Sequence, residues 1–76
     1  MSRRLPALKP APVVKALERA GFVVRRVRGS HYQLTHPGNP LLRTTVPYGT
    51  ADIERGTLQA ILRDCGIPPE EFLELL

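Results

Sequence analysis

Two dense turn signals divide the middle of this chain into three short segments with β-strand composition, and this pattern constrains the fold more than any other feature. The first signal is Gly29-Ser30, and the second is the run of turn-forming residues at 36–40. The three segments that these turns separate are rich in β-branched, aromatic or other apolar side chains, which favour strands. They comprise residues 22–28, 31–35 and 41–46. Three consecutive strands joined by short turns predict an antiparallel meander.

Apolar residues at helical spacing precede and follow the predicted sheet. We expect the first helix over residues 12–20, because Pro12 suits the first helical position, where a missing N–H costs nothing. The second helix is expected to begin with Thr57 as N-cap and to end at Gly66, and a short third helix begins at Pro69. Since each of the two longer helices has one apolar stripe, both should cover the same face of the sheet and leave the other face open.

The 76 residues are expected to form a single domain over residues 1–76, with a proline-rich extended arm at 1–11. No run of about eighteen apolar residues occurs, so a membrane span is not expected. Prolines interrupt the segment after the basic N-terminus, which argues against a secretory signal and favours a cytoplasmic protein. The single Cys65 allows no internal disulfide, and its helical spacing predicts a buried structural thiol.

Basic and acidic residues are distributed very unevenly along the chain. Residues 1–47 contain nine of the eleven lysines and arginines and only one acid, for a net charge of +8. Residues 48–76 contain two arginines and six acids, for a net charge of −4. This division predicts that one surface attracts a polyanion, while the C-terminal part is merely solvated.

The densest group of basic residues lies directly before a histidine, in the sequence Arg25-Arg26-Val27-Arg28-Gly29-Ser30-His31. Histidine exchanges protons near neutral pH, and arginine is the side chain best suited to binding phosphate. A proton-transfer group beside a phosphate site is what metal-free cleavage of RNA requires. Strand alternation places His31, Gln33, Arg43 and Thr45 together on the open face of the sheet.

Alternation in the first strand is imperfect. Phe22 and Val24 share a face with Arg26, whereas Val23 and Val27 share a face with Arg25. A bulge near Arg26 and a sheet with two partly covered faces explain this pattern equally well.

Most of these residues also have a purely structural explanation. Taken alone, His31 is typical of a strand-edge histidine without a role, and arginines on exposed edges discourage aggregation. Ser30 suits a turn whether or not it orients His31. His36 is expected to be a turn residue, and Tyr32 and Phe22 are expected to belong to the core because each shares a face with other apolar residues.

Several short motifs occur in the order and spacing of the HicA toxins (YcfA-like proteins), and the chain resembles this family over residues from about 5 to 76. The motifs are Gly21-Phe22, Arg28-Gly29-Ser30-His31, Thr45-Val46-Pro47, Gly56-Thr57-Leu58, Ile61-Leu62, Gly66-Ile67 and Glu70-Glu71-Phe72-Leu73. The resemblance implies an α+β fold like that of double-stranded-RNA-binding domains, α-β-β-β-α with a short C-terminal helix. It places the helices on one face of a three-stranded antiparallel sheet.

The resemblance also implies a function. HicA toxins are mRNA interferases, which are endoribonucleases that block translation and are neutralised by a HicB-type antitoxin. Their essential histidine corresponds to His31, and we expect metal-independent acid–base catalysis with no cofactor. Residues expected to bind RNA are Arg25, Arg26, Arg28, Gly29, Ser30 and Arg43, and the hydroxyl of Tyr48 is a possible accessory group. The expected partners are therefore messenger RNA and an antitoxin, without a membrane or a small-molecule cofactor.

This chain departs from the family pattern at three positions. Many relatives have a second histidine where this chain has Tyr32, a histidine near the position of Tyr48, and a basic residue at the position of Gln59. Two other functions therefore remain open at this point. The chain is a non-catalytic RNA-binding module that uses the same basic surface, or an interaction subunit whose basic face docks an acidic protein.

Overall fold

Three antiparallel strands, which lie side by side in chain order, form a sheet that is preceded by one helix and followed by two. The computed structural model describes residues 5–76. Its elements are α1 (Pro10–Arg19), β1 (Val23–Arg28), β2 (His31–His36), β3 (Asn39–Pro47), α2 (Arg55–Cys65) and α3 (Pro69–Leu75). This order confirms the α+β fold with a three-stranded meander and a short C-terminal helix.

Both longer helices end at a glycine in a left-handed conformation. At the end of α1, the Gly21 N–H donates to the Glu18 carbonyl and the Phe22 N–H donates to the Leu17 carbonyl, each at 3.0 Å. This pair of bonds satisfies carbonyl groups that the helix leaves without partners. The same arrangement closes α2 at Gly66, whose φ is +69°.

The predicted start of α1 was wrong by two residues and that of α2 by three, whereas α3 begins at Pro69 as predicted. Helix α1 begins at Pro10 rather than Pro12. Proline does occupy the first helical position, as predicted, but it is an earlier proline of the chain. Helix α2 begins at Arg55 after Glu54 as N-cap, and Thr57 lies inside its first turn. An isolated β-bridge between Leu8 and Ile53 sets the direction in which the chain enters both helices.

The N-terminal segment is extended but packed onto the domain, and the expected arm ends at Lys9 instead of residue 11. Leu5 is buried, and Lys9 Nζ donates to the Thr50 carbonyl at 2.9 Å and lies 3.1 Å from an Asp52 carboxylate oxygen. Residues 1–4 of the expected arm lie outside the described residues. The contacts tie residues 5–9 to the loop before α2.

A β-bulge in β1 resolves the imperfect alternation of the sequence. Val24 pairs with Leu34 and Arg26 pairs with Gln33, so Arg25 is an extra residue between two regular pairs. The bulge restores the period of two, which places Val24 and Val27 on one face and Arg26 on the other.

The core lies between the helices and one face of the sheet. Fully buried side chains come from every layer, and they include Val13, Leu17, Leu34, Val46, Leu58, Leu62 and Phe72. Thr44, opposite Leu34, is buried on the same face, and its hydroxyl donates to Asp64 of α2 at 3.2 Å. Within residues 5–76, no helix is long and apolar enough to cross a membrane.

Candidate nucleic-acid interface

The face of the sheet opposite the core (the open face) carries most of the predicted site residues. Cross-strand pairing arranges it in three rows from β1 through β2 to β3: Arg28–His31–Pro47, Arg26–Gln33–Thr45 and Val23–Thr35–Arg43. All side chains of these rows that carry or can gain a positive charge are exposed, namely Arg26, Arg28, His31 and Arg43. The structure thus brings His31, Gln33, Thr45 and Arg43 onto one face, as alternation predicted.

One end of the open face is formed by His31 and two arginines. His31 opens β2 directly opposite Arg28, and side chains that face each other in this way have Cβ atoms about 5 Å apart. Arg26 lies in the next row, diagonal to His31. The imidazole of His31 is exposed to solvent. A ligand that contacts it can also reach the guanidinium groups of Arg28 and Arg26.

The turn before His31 gives this end its shape. Gly29 has a φ of +58°, a conformation that glycine adopts without steric cost, and a Cβ at this position would meet nothing within 4 Å. Glycine is thus favoured at this position by the positive φ of the backbone, since a side chain there would not clash with any neighbour. The Ser30 carbonyl accepts a hydrogen bond from the Tyr48 N–H at 2.6 Å, so the turn is joined to the end of β3.

The other predicted arginines lie at the far end of the open face. Arg25, Thr35 and Arg43 line a groove of about 430 Å³ that one side of α2 borders. The same three residues line a neighbouring groove of about 420 Å³ at the β2–β3 turn. Since Thr35 follows His31 by four residues at roughly 3.3 Å each, this end lies about 13 Å from His31 along the strand.

Tyr48, the possible accessory group, packs its ring against Tyr32. Its ring centroid is 5.1 Å from that of Tyr32, which packs against the core. Tyr32 and His31 are neighbours in a strand and therefore project to opposite faces. The Tyr48 ring accordingly lies on the side of Tyr32, and the open face near His31 is formed without it.

His36, the second histidine of β2, is part of the packing of the domain. Its half-buried ring contacts Phe22 edge to face, with centroids 5.1 Å apart. Its Nδ1 accepts a hydrogen bond from the Gly38 N–H at 3.0 Å, and its Nε2 faces Gly21 so closely that a Cβ there would approach within 2.8 Å. The expectation that His36 is a turn residue was wrong, because it ends β2, pairs with Asn39 and packs within the domain. Gly21 leaves the space that its ring occupies.

The electrostatic environment of the sheet is uniformly basic. Between Glu18 and Asp52 the sequence contains five arginines and no acid, and four of these arginines lie in the strands. A phosphate group at the open face therefore meets no carboxylate from the sheet itself. Asp64 of α2 lines the groove at the far end and accepts the hydrogen bond from Thr44.

The remaining titratable and metal-binding candidates do not add to this site. Cys65 is buried in the core, and burial together with the nearby Asp64 carboxylate raises the pKa of its thiol to about 12. The thiol is therefore protonated and unreactive at neutral pH, as expected of a structural cysteine. Among residues 5–76, no group of three His, Cys, Asp or Glu side chains is arranged to hold a metal ion.

Comparison with known proteins identifies one family. The sequence model of the HicA toxin of bacterial toxin-antitoxin systems matches residues 12–67. The matched segment begins within α1, includes all three strands with the turn before His31, and ends just after α2. No curated protein matches the sequence.

Proposed function

The chain belongs to the HicA toxin family of bacterial toxin-antitoxin systems, and from that premise we propose that it is a ribonuclease that cleaves messenger RNA. The observation that carries the proposal is the exposed imidazole of His31 in the same row as Arg28. A group that moves protons thus lies beside a group that binds phosphate, on strands that carry no carboxylate.

In this mechanism the 2′-hydroxyl of one nucleotide attacks the phosphorus that follows it. A new bond forms between the 2′-oxygen and phosphorus, and the bond from phosphorus to the 5′-oxygen of the next nucleotide breaks. His31 either takes the proton from the 2′-hydroxyl as a base or gives a proton to the departing 5′-oxygen as an acid, and a solvent water molecule makes the other proton transfer. Either role is worth roughly 10²–10⁴-fold in rate. The products are a 2′,3′-cyclic phosphate and a free 5′-hydroxyl.

Arg28 and Arg26 stabilise the charge that develops on the phosphate during this attack, since both are exposed in the two rows nearest to His31. Arg25 and Arg43, which line the grooves at the far end of the open face, bind the RNA backbone on one side of the cleaved bond. A Cβ at Gly29 would meet nothing within 4 Å, so this turn at the His31 end leaves room for a phosphate to approach the backbone.

Two further features belong to the proposal. The reaction proceeds without a metal ion, because the acid–base group and the guanidinium groups supply proton transfer and charge stabilisation. A HicB-type antitoxin in the cytoplasm neutralises the toxin, and it would do so most directly by covering the basic open face with acidic side chains.

The test compares the two histidines of β2. Purified His31→Ala and His36→Ala proteins are assayed on RNA with and without EDTA, and their folding is checked by circular dichroism. We expect His31→Ala to lose roughly 10²–10⁴-fold in cleavage rate and to relieve growth arrest on induction, whereas folded His36→Ala remains active. EDTA should leave cleavage by the unmodified chain unchanged.

Two results would contradict the proposal. A folded His31→Ala protein that cleaves RNA as fast as the unmodified chain would remove His31 from the chemistry. RNA binding by both proteins, without cleavage by either or by the unmodified chain, would show a non-catalytic RNA-binding module.

A further inference from the structure

An exposed aromatic pair lies at the same end of the sheet as His31, on the opposite face. Tyr48 is 55% exposed and Tyr32 is half-buried, with their ring centroids 5.1 Å apart and the ring planes inclined by 38°. Val27, which pairs with Tyr32 across β1 and β2, is 51% exposed. These three side chains (the tyrosine platform) present apolar and aromatic surface that neither the helices nor the loops cover fully.

The position of the platform is set by the backbone around it. Tyr32 pairs with Val46 in the β2–β3 ladder, and two residues later the Tyr48 N–H donates to the Ser30 carbonyl. Gly49 follows with a φ of +126°, and a Cβ there would meet nothing within 4 Å. The chain therefore turns away after Tyr48 and leaves its ring accessible.

The surroundings of the platform favour a nucleobase as its ligand. Val27 lies between Arg26 and Arg28 in β1, and the whole sheet is free of acidic residues. Proteins that bind single-stranded nucleic acid combine a basic surface along the backbone with aromatic rings on which bases stack. Both parts are present here, on two sides of one sheet end.

We propose that Tyr48, supported by Tyr32, stacks on a base of the RNA whose phosphate is held at His31 and Arg28. The inference rests on the proposed function, and it adds a base-binding site to the phosphate sites. The strand of RNA passes around the Gly29-Ser30 turn, so that a phosphate lies on the open face and a neighbouring base lies on the platform. Tyr48 acts in positioning, and it takes no part in proton transfer.

The chain provides its own probe of this site. It contains no tryptophan and only two tyrosines, Tyr32 and Tyr48, so its intrinsic fluorescence reports on the platform alone. The experiment titrates the unmodified protein with a short single-stranded 2′-O-methyl oligoribonucleotide, which offers no 2′-hydroxyl for cleavage, and corrects for nucleic acid absorbance. We expect saturable quenching of the tyrosine signal, because a stacked base lies in contact with the ring.

An abasic oligonucleotide of the same length separates stacking from attraction to phosphate. It carries the same charge but offers no base to the platform, so we expect roughly tenfold weaker binding and little quenching. If the abasic oligonucleotide binds and quenches like the intact one, the proposal is wrong and the platform does not contact bases.

Substitutions then assign the effect to the ring. Tyr48→Ala should weaken oligonucleotide binding roughly tenfold, whereas Tyr48→Phe should retain it because the stacking surface remains. Leu41→Ala is the matched control, since Leu41 is an apolar residue of β3 that is 87% exposed at the other end of the sheet. Its binding should equal that of the parent protein.

The outcomes of this test are distinct from failure of the proposed function. Because the assay measures binding to an oligonucleotide that cannot be cleaved at a 2′-hydroxyl, stacking is measured even if the chain proves to have no ribonuclease activity. If Tyr48→Ala binds RNA normally but is no longer neutralised by the antitoxin, the platform contacts protein and the inference is overturned.

Discussion

The two ends of β2 carry the same side chain in opposite circumstances. His31 begins the strand, is exposed, and lies opposite Arg28 on the open face. His36 ends the strand, packs edge to face on Phe22 and accepts a hydrogen bond from Gly38. The first imidazole is available to a ligand, and the second has its ring and one nitrogen engaged by the domain itself.

The glycines near the two histidines show the same contrast. Gly29 has open space around it and is required only for its positive φ, whereas Gly21 combines a positive φ with a close contact to the His36 ring. Gly29, at the His31 end, is thus constrained only by the path of the backbone. Gly21, at the His36 end, is constrained by the backbone and by packing. We infer that substitutions at the His31 end change activity with little effect on stability, whereas substitutions at the His36 end lower stability with little effect on activity.

The largest effect on stability is expected from Gly21→Ala. Its φ of +100° is strained for alanine, and the new Cβ would lie 2.8 Å from His36 Nε2, so the ring must move. Together these changes should lower the free energy of unfolding by about 2–4 kcal/mol. Urea denaturation measures the loss, and Gly29→Ala is the matched control, with an expected loss of about 1 kcal/mol from backbone strain alone.

An intermediate effect is expected from His36→Ala. The substitution removes the contact with Phe22 and the hydrogen bond from Gly38, which should lower the free energy of unfolding by about 1–2 kcal/mol. His31→Ala, measured by the same denaturation, should change stability by less than about 0.5 kcal/mol, because its side chain is exposed. Equal losses for the two variants would remove the contrast between the ends of β2.

The smallest effects are expected from single arginines on the open face. Arg28→Gln and Arg43→Gln should each weaken RNA binding only a few-fold and reduce the slope of log affinity against log salt by about one. Arg28→Gln should also lower kcat, since Arg28 lies beside His31, whereas Arg43→Gln should change KM alone.

Arg63→Gln is the control for this pair, because Arg63 lies on α2 outside the three rows of the open face. It should leave the salt dependence of RNA binding unchanged. A loss of kcat with Arg43→Gln as large as that with Arg28→Gln would show that both ends of the open face act on the same phosphate.

Much of the fold could be predicted because local chemistry specified it. Turn residues at Gly29-Ser30 and at 36–40 divided the strands, and Gly21 and Gly66 marked the helix ends where the structure has them. The starts of α1 and α2 were missed, since Pro10 and Pro12 satisfy the same local rule and the Leu8–Ile53 bridge that orients the chain is a contact between distant residues.

The candidate site was predicted only in part, for a related reason. Strand alternation placed His31 and Arg43 on one face, but it did not show that they lie at opposite ends of that face. The pattern of Arg25 and Arg26 was compatible with two arrangements, and pairing across the sheet chose the bulge. The Tyr48 hydroxyl was considered as an accessory group, and the contact of its ring with Tyr32 was not visible in the sequence.

The sequence by itself determined the helices and strands, the basic character of the sheet, and the position of the motif around His31, because these depend on residues that are neighbours along the chain. Only the tertiary structure decided which arginines accompany His31, that His36 belongs to the packing, and that two distant tyrosines meet. Those properties depend on strand register and on side chains brought together across the sheet, where a shift of one residue moves a side chain to the other face.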